Sequence, residues 1–152
     1  MNTGLQPKRI VLDTNVCLDL FVFHDPRWAA LLAALKSGAV KAVTKAECRM
    51  EWQIVLGYSH LSLNEAMRAE CNAAFDGLID CIAPEPLSNI KLPLCSDPDD
   101  QKFLELSRDA QADILITKDK ALLKLARKTA RAGLFQIILP QAWALQDNAA
   151  LA

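Results

Sequence analysis

The segment IVLDTNV places Asp13 directly after a β-branched apolar run, and ADILITKD places Asp119 after ILITK, the end of another strand. A carboxylate at the end of a strand inside a sheet is costly unless a charge or a hydrogen bond meets it. In open α/β sheets ligands gather outside the carboxyl ends of the strands, so two strands from opposite ends of the chain can bring both acids to one edge. Two helices can add more. In AECRMEWQIVL the apolar stripe Cys48, Trp52, Val55 and Leu56 has Glu51 on its border, leaning toward the core. In DPDDQKFLELS, Asp100 precedes Phe103 and Leu104 by three and four positions, and Asp99 precedes Phe103 by four, which sets Asp100 slightly ahead of Asp99 over the apolar face. Clustered carboxylates repel one another, and some must hold protons at neutral pH unless a cation joins them. Hard divalent cations with oxygen ligands answer that need, and two of them roughly 4 Å apart can activate water and steady the leaving oxygen in phosphodiester hydrolysis. The chemistry expected is that of a metal-dependent nuclease.

The elements that must position these residues alternate. A strand over Arg9–Asp13 leads into a short helix from Val16 to Val22; Asp25 and Pro26 open a second helix that runs to Ser37 and stops at Gly38. AVKAV is a second strand, and Thr44 is placed to cap a helix from Lys45 to Leu56. SLNE, Ser62 to Glu65, has the pattern of a capping box and opens a long Ala-rich helix reaching about Asp80. Three prolines between Ala83 and Cys95 make that stretch a connector, after which Ser96 or Asp97 caps a helix with Pro98 in its first turn. DILITKD is a third strand, followed by a helix from Lys120 to Arg131, Gly133, and a last strand FQIIL. Alternating strands and helices imply a three-layer α/β/α sandwich around a central, mostly parallel sheet of about four to five strands.

Composition narrows the class. The chain has 152 residues, enough for one domain that buries a real core; the core is expected at about residues 9–140, with 141–152 as a C-terminal tail. With 52% apolar residues and five glycines, neither disorder nor low complexity fits. The longest apolar run, WAALLAAL, is too short to cross a bilayer, and MNTGLQPKR lacks the apolar centre of a signal peptide, so a cytoplasmic protein with no membrane partner is expected. Five scattered cysteines and two histidines give no thiolate zinc site and no disulfide framework. The net charge of −1 does not mark a nucleic-acid binder, so any such role must rest on local charge. Lys120, Lys124, Arg127 and Arg131 recur at helical spacing, with Lys118 just before them. That stripe either holds RNA phosphates or is a solvated face opposite Leu122 and Leu125.

The stretches IVLDTNV, AECRMEWQIVL, DPDDQKFLELS and ADILITKDKALL, taken in that order, resemble the PIN-domain family, specifically its VapC-like bacterial branch of toxin components from toxin-antitoxin systems. The resemblance implies Asp13, Glu51, Asp100 and Asp119 as metal ligands, Asn15 as a residue orienting the site through hydrogen bonds, and Thr117 as a polar organiser. It also implies Mg2+- or Mn2+-dependent cleavage of RNA, an antitoxin partner and a homodimer. Lys118, Lys120, Lys124 and Arg127 are the RNA-contacting candidates. The sequence departs from the branch at Lys118, where Gly commonly precedes the last acid, at Ala121, where another Asp is common, and at Trp52, where an aliphatic residue is usual.

Each acid also has an ordinary reading. Asp13 can cap the first helix, the acids at 97, 99 and 100 suit a helix N-terminus, Glu51 can be a solvated residue, and Asp119 can be a cap. Two other functions remain open. One is a noncatalytic RNA-binding or scaffold domain with the same fold. The other is phosphoryl transfer through an aspartyl-phosphate, since LDTNV has some likeness to the D-x-D-x-T/V motif of haloacid dehalogenase-like phosphatases, although Asn15 replaces the second acid.

Overall fold

The computed structural model describes residues 7–143. Five strands, β1 (Lys8–Leu12), β2 (Val40–Thr44), β3 (Ile79–Cys81), β4 (Ile114–Ile116) and β5 (Gln136–Ile138), form one sheet in the order β3-β2-β1-β4-β5. Every neighbouring pair is parallel, with Ile10 opposite Ile114 and Ala42 opposite Ile79. The α/β/α sandwich inferred from the alternating pattern is therefore present, with five strands and no antiparallel edge among the described residues.

Strand residues alternate between two cores, which is why the strands read as continuous apolar runs. Ile10, Leu12, Ala42 and Ile116 face the layer made by α1 (Thr14–Phe21), α2 (Ala29–Ser37), α3 (Ala46–Leu56) and α4 (Glu65–Leu78). Val11, Val43, Leu115 and Ile137 face α5 (Gln101–Asp109), α6 (Lys120–Leu123) and α7 (Ala126–Arg131). Trp52 is an anchor of the first core: it stacks on Phe75 at 4.9 Å between centroids, and its indole N–H donates to Asn72. α3 spans both layers, because Cys48 packs in the second core and Trp52 in the first. Glu51 lies between those two residues, which brings it to the sheet edge.

Several boundaries differ from the sequence reading. Ile79–Cys81 is a strand and not the end of the long helix; Gly77 weakens the helix there, and Ile79 gains a buried pairing with Ala42. Thr44 ends β2, and Lys45 holds the N-cap position of α3 without a side-chain cap. The SLNE box is replaced by a single cap: Asn64 accepts from the Met67 N–H at 2.8 Å, and Ser62 takes a left-handed conformation at φ 54°. Pro26–Trp28 forms a 3-10 turn capped by Asp25 before α2 begins. The helix expected from Lys120 to Arg131 is two short helices. The Leu125 N–H tightens onto the Leu122 carbonyl, which turns both leucines into the core. The expected tail beyond Trp143 lies outside the described residues.

Candidate metal centre

The sheet order reverses direction at β1, so the carboxyl ends of β1 and β4 flank the crevice where such folds place ligands. The Asp13 N–H donates to the Ile116 carbonyl at 3.0 Å, carrying the β1–β4 pairing one residue past the strand end. Asp13 does occupy the N-cap position of α1, but its side chain caps nothing there. Its carboxylate instead accepts from the Thr117 hydroxyl at 2.7 Å, and that hydroxyl oxygen accepts from the Asp119 N–H at 2.9 Å. Thr117, fully buried, thus ties the first and last acids together. Asp119 divides its carboxylate: Oδ1 caps α6 by accepting from the Ala121 N–H at 2.7 Å. The capping and site readings of Asp119 are compatible, because the second oxygen remains.

Asp100 closes a 3-10 turn over Pro98–Asp100 and carries no capping bond from its side chain. It is 8% exposed, and its Oδ2 is buried with no hydrogen-bond partner among the described residues. A buried carboxylate oxygen without a donor is expensive and needs a reason. Burial, the facing Asp119 carboxyl and the charges of Asp119, Asp13 and Asp97 push the Asp100 carboxyl up to about 8. Burial likewise raises Asp13, against the Thr117 hydrogen bond and with the charges of Glu51 and Asp119 adding to it. Asp97, Asp100 and Asp119 each offer a ligand atom within 4.8 Å of the others. Oxygen donors, an orphaned buried oxygen and surplus negative charge fit a hard divalent cation.

The remaining candidates divide. Glu51 lies outside that three-acid group, near enough to Asp13 for its charge to act there, with its own oxygens engaged: Oε2 accepts from the Thr14 hydroxyl, and Oε1 pairs with the Lys102 ammonium at 2.7 Å. Asn15 is exposed at the start of α1 and makes no side-chain hydrogen bond with the described residues. Asp99 is exposed, its N–H donating to Asp97. Lys118 pairs with the buried Asp19 at 2.7 Å, and Asp19 also accepts from the Trp28 indole. Lys120, Lys124 and Arg127 are exposed, but Lys120 lies in α6, Arg127 in α7 and Lys124 between them, so they do not share one continuous helix. The sequence reading missed Asp97, Thr14, Lys102 and Asp19. The run SDPDD signals Asp97, but by sequence alone it reads only as a helix cap; the other three are legible only once α1, α3 and α5 are brought together.

A parallel sheet with acids converging at its reversal point defines an α/β fold with a candidate ligand site at the β1–β4 edge. The PIN domain family model matches residues 9–121, a span containing Asp13, Glu51, Asp100 and Asp119, and the chain belongs to the PIN-domain family. No curated protein matches significantly. Among solved structures, a chain of VapBC2 from Rickettsia felis, bound to a DNA fragment from their promoter, is similar with a TM-score of 0.57 and 14% identity, over 86% of this chain and 98% of that one. At that identity the likeness is one of fold.

Proposed function

We propose that the protein is a metal-dependent endoribonuclease acting as the toxin of a type II toxin-antitoxin module, its whole chain forming one PIN-like nuclease domain. The observation that carries this reading is the orphaned, buried Oδ2 of Asp100 facing the carboxylates of Asp97 and Asp119 at the β1–β4 edge. Asp97, Asp100 and Asp119, with Asp13 beside them, would hold Mg2+ or Mn2+; Glu51 completes the acidic wall. Bound there, the ion supplies a Lewis acid that makes water nucleophilic near neutral pH and offsets phosphodiester charge. Thr117 holds Asp13 and Asp119 in register, and the Ala121 N–H fixes the Asp119 carboxylate. Asn15, exposed at the rim, is free to turn toward substrate, and Lys120, Lys124 and Arg127 supply positive charge for RNA phosphates.

The relation of the similar Rickettsia felis structure to a toxin-antitoxin pair supports an antitoxin partner. So does an apolar groove of about 290 Å³ between α1, α2 and α4, lined by Leu20, Phe21, Leu32 and Leu78. Exposed Met50, Ile54 and Met67 support a homodimer. No described helix is long and apolar enough to cross a membrane, in keeping with a cytoplasmic site of action. The test is cleavage of a mixed pool of structured and unstructured RNAs by purified protein in Mg2+, Mn2+ or EDTA, beside Asp13→Asn. Metal-dependent cutting that the variant loses supports the reading. Cutting in neither metal, with RNA still bound, would favour the noncatalytic RNA-binding domain.

A further inference from the structure

The acidic site is not uniform. On one side, Asp97, Asp100 and Asp119 turn ligand atoms toward one another with one buried oxygen orphaned. On the other, Glu51 has both oxygens taken, by Thr14 and by Lys102. Lys102 is unlike a surface lysine that swings in solvent: its side chain is 12% exposed, its ammonium also donates to the Asp99 carbonyl, and it lies 5.4 Å from the centroid of the Phe103 ring. It lies in the first turn of α5, two residues after Asp100 at the N-cap, so its backbone is fixed by the same turn that aims Asp100 into the site. A second divalent ion on the Glu51 side would have to displace that ammonium or sit against its charge.

We propose that Lys102 is a built-in cation serving the Glu51 half of the acidic site, so that each chain holds a single divalent ion, on Asp97, Asp100 and Asp119, and not the pair that a cluster of this many acids would suggest. The inference rests on the metal-centre reading above and deepens it. Glu51 then acts as a positioning residue: it anchors Lys102, and through Thr14 it ties α3 to the start of α1. A fixed ammonium also supplies positive charge that needs no ion from solution, which suits a site that must bind a phosphodiester at low free metal.

The measurement is the stoichiometry and affinity of Mn2+ binding to the full chain by titration calorimetry, with no RNA present. The wild type is expected to bind one ion per chain, and Lys102→Met, which keeps the length and removes the charge, to bind two. Lys102→Arg, which keeps the charge, should bind one. Glu51→Gln should keep the single ion with affinity within about the tenfold change of an outer-shell partner, whereas Asp100→Asn should lose it. Two ions on the wild type, or one on Lys102→Met with its melting transition intact, overturns the proposal. If Lys102→Met does not fold, loss of the ion in Glu51→Gln overturns it just as well. Absence of Mn2+ binding by the wild type removes the metal-centre reading itself, an outcome distinct from a count of two.

Discussion

The two edges of the same sheet treat their acids in opposite ways. At the amino edge, Asp113 accepts from the Arg9 N–H at 2.9 Å, and the Arg9 guanidinium donates to the Ala110 carbonyl. Nearby, Asp109 pairs with Arg108 at 2.7 Å and accepts from the Leu87 N–H. These acids close loops and have partners. At the carboxyl edge, Asp13 and Asp100 are more deeply buried than Asp113, yet Asp100 keeps an oxygen with no donor and its nearest charged neighbours are other acids. Natural proteins rarely keep such an arrangement without a ligand to complete it. A site is thus marked by the acids the fold leaves unsatisfied more than by how many it has.

The largest effects should separate the edges. Asp100→Asn is expected to abolish metal-dependent RNA cleavage and Mn2+ binding, while raising the stability of the metal-free protein at pH 8 by about 1–3 kcal/mol, because it removes a buried charge that lacks a partner. Asp113→Asn should do the reverse: cleavage unchanged, stability lowered by up to about 1 kcal/mol through the weakened bond to Arg9. Cleavage assays and chemical denaturation on the two variants check both halves. Equal activity loss at the two edges would erase the distinction drawn between them. Thr117→Val, which keeps the shape but removes the hydroxyl that ties Asp13 to Asp119, should lower activity on the order of 10–100-fold, as loss of an outer-shell partner does.

The edges should also respond oppositely to pH. The Asp100 carboxyl is raised from the ordinary 3.8 to about 8. Between those values the unfolded chain has released this proton and the folded chain keeps it, so stability present below pH 3.8 is lost as pH rises through about 8. Asp109 moves the other way. Burial raises it, but Arg108 and the Leu87 N–H prevail and hold it below the ordinary value, so its contribution is present above 3.8 and is lost as pH falls through its lowered value. Thermal melts in EDTA should show stability falling between pH 5 and 8, a slope that Asp100→Asn flattens and Asp109→Asn leaves in place. Mn2+ at about a hundred times its Kd should restore about 2.7 kcal/mol at pH 8 to the wild type and nothing to Asp100→Asn.

The sequence disclosed the edges unevenly. β1 and β4 were legible because buried parallel strands leave unbroken β-branched runs, and Asp13 and Asp119 interrupt those runs at their ends. Asp100 was legible from its spacing to Phe103 and Leu104. β3 was hidden because Ile79–Cys81 continues the helical pattern of α4, and only its pairing with β2 makes it a strand. Lys102 and Asp19 were hidden for a different reason. A lysine in a helix and an acid in an apolar stretch look solvated until distant segments meet them, Glu51 from α3 in the one case and Trp28 with Lys118 in the other. Local pattern shows where an acid stands; its partner comes from tertiary contact.

The smallest effects concern the basic residues. Lys118 directly precedes Asp119, but its ammonium is spent on Asp19, whose carboxylate also holds the Trp28 indole N–H at 3.2 Å. Lys124 is exposed and pairs with no acid among the described residues. Removing Lys118 therefore leaves a buried acid with one donor fewer, while removing Lys124 disturbs only the field that RNA would meet. Lys118→Ala should lower stability by about 1 kcal/mol, discounted because the ammonium is partly in solvent, and barely change RNA affinity. Lys124→Ala should leave stability unchanged and reduce the slope of log affinity against log salt by about 0.7 for single-stranded RNA. RNA-binding titrations over a salt series in the Asp13→Asn background, where cleavage does not consume the ligand, distinguish the two. If Lys118→Ala reduces the salt slope as Lys124→Ala does, the Asp19 pair opens when RNA binds, and the β4–α6 loop belongs to the substrate surface as well as to the metal centre.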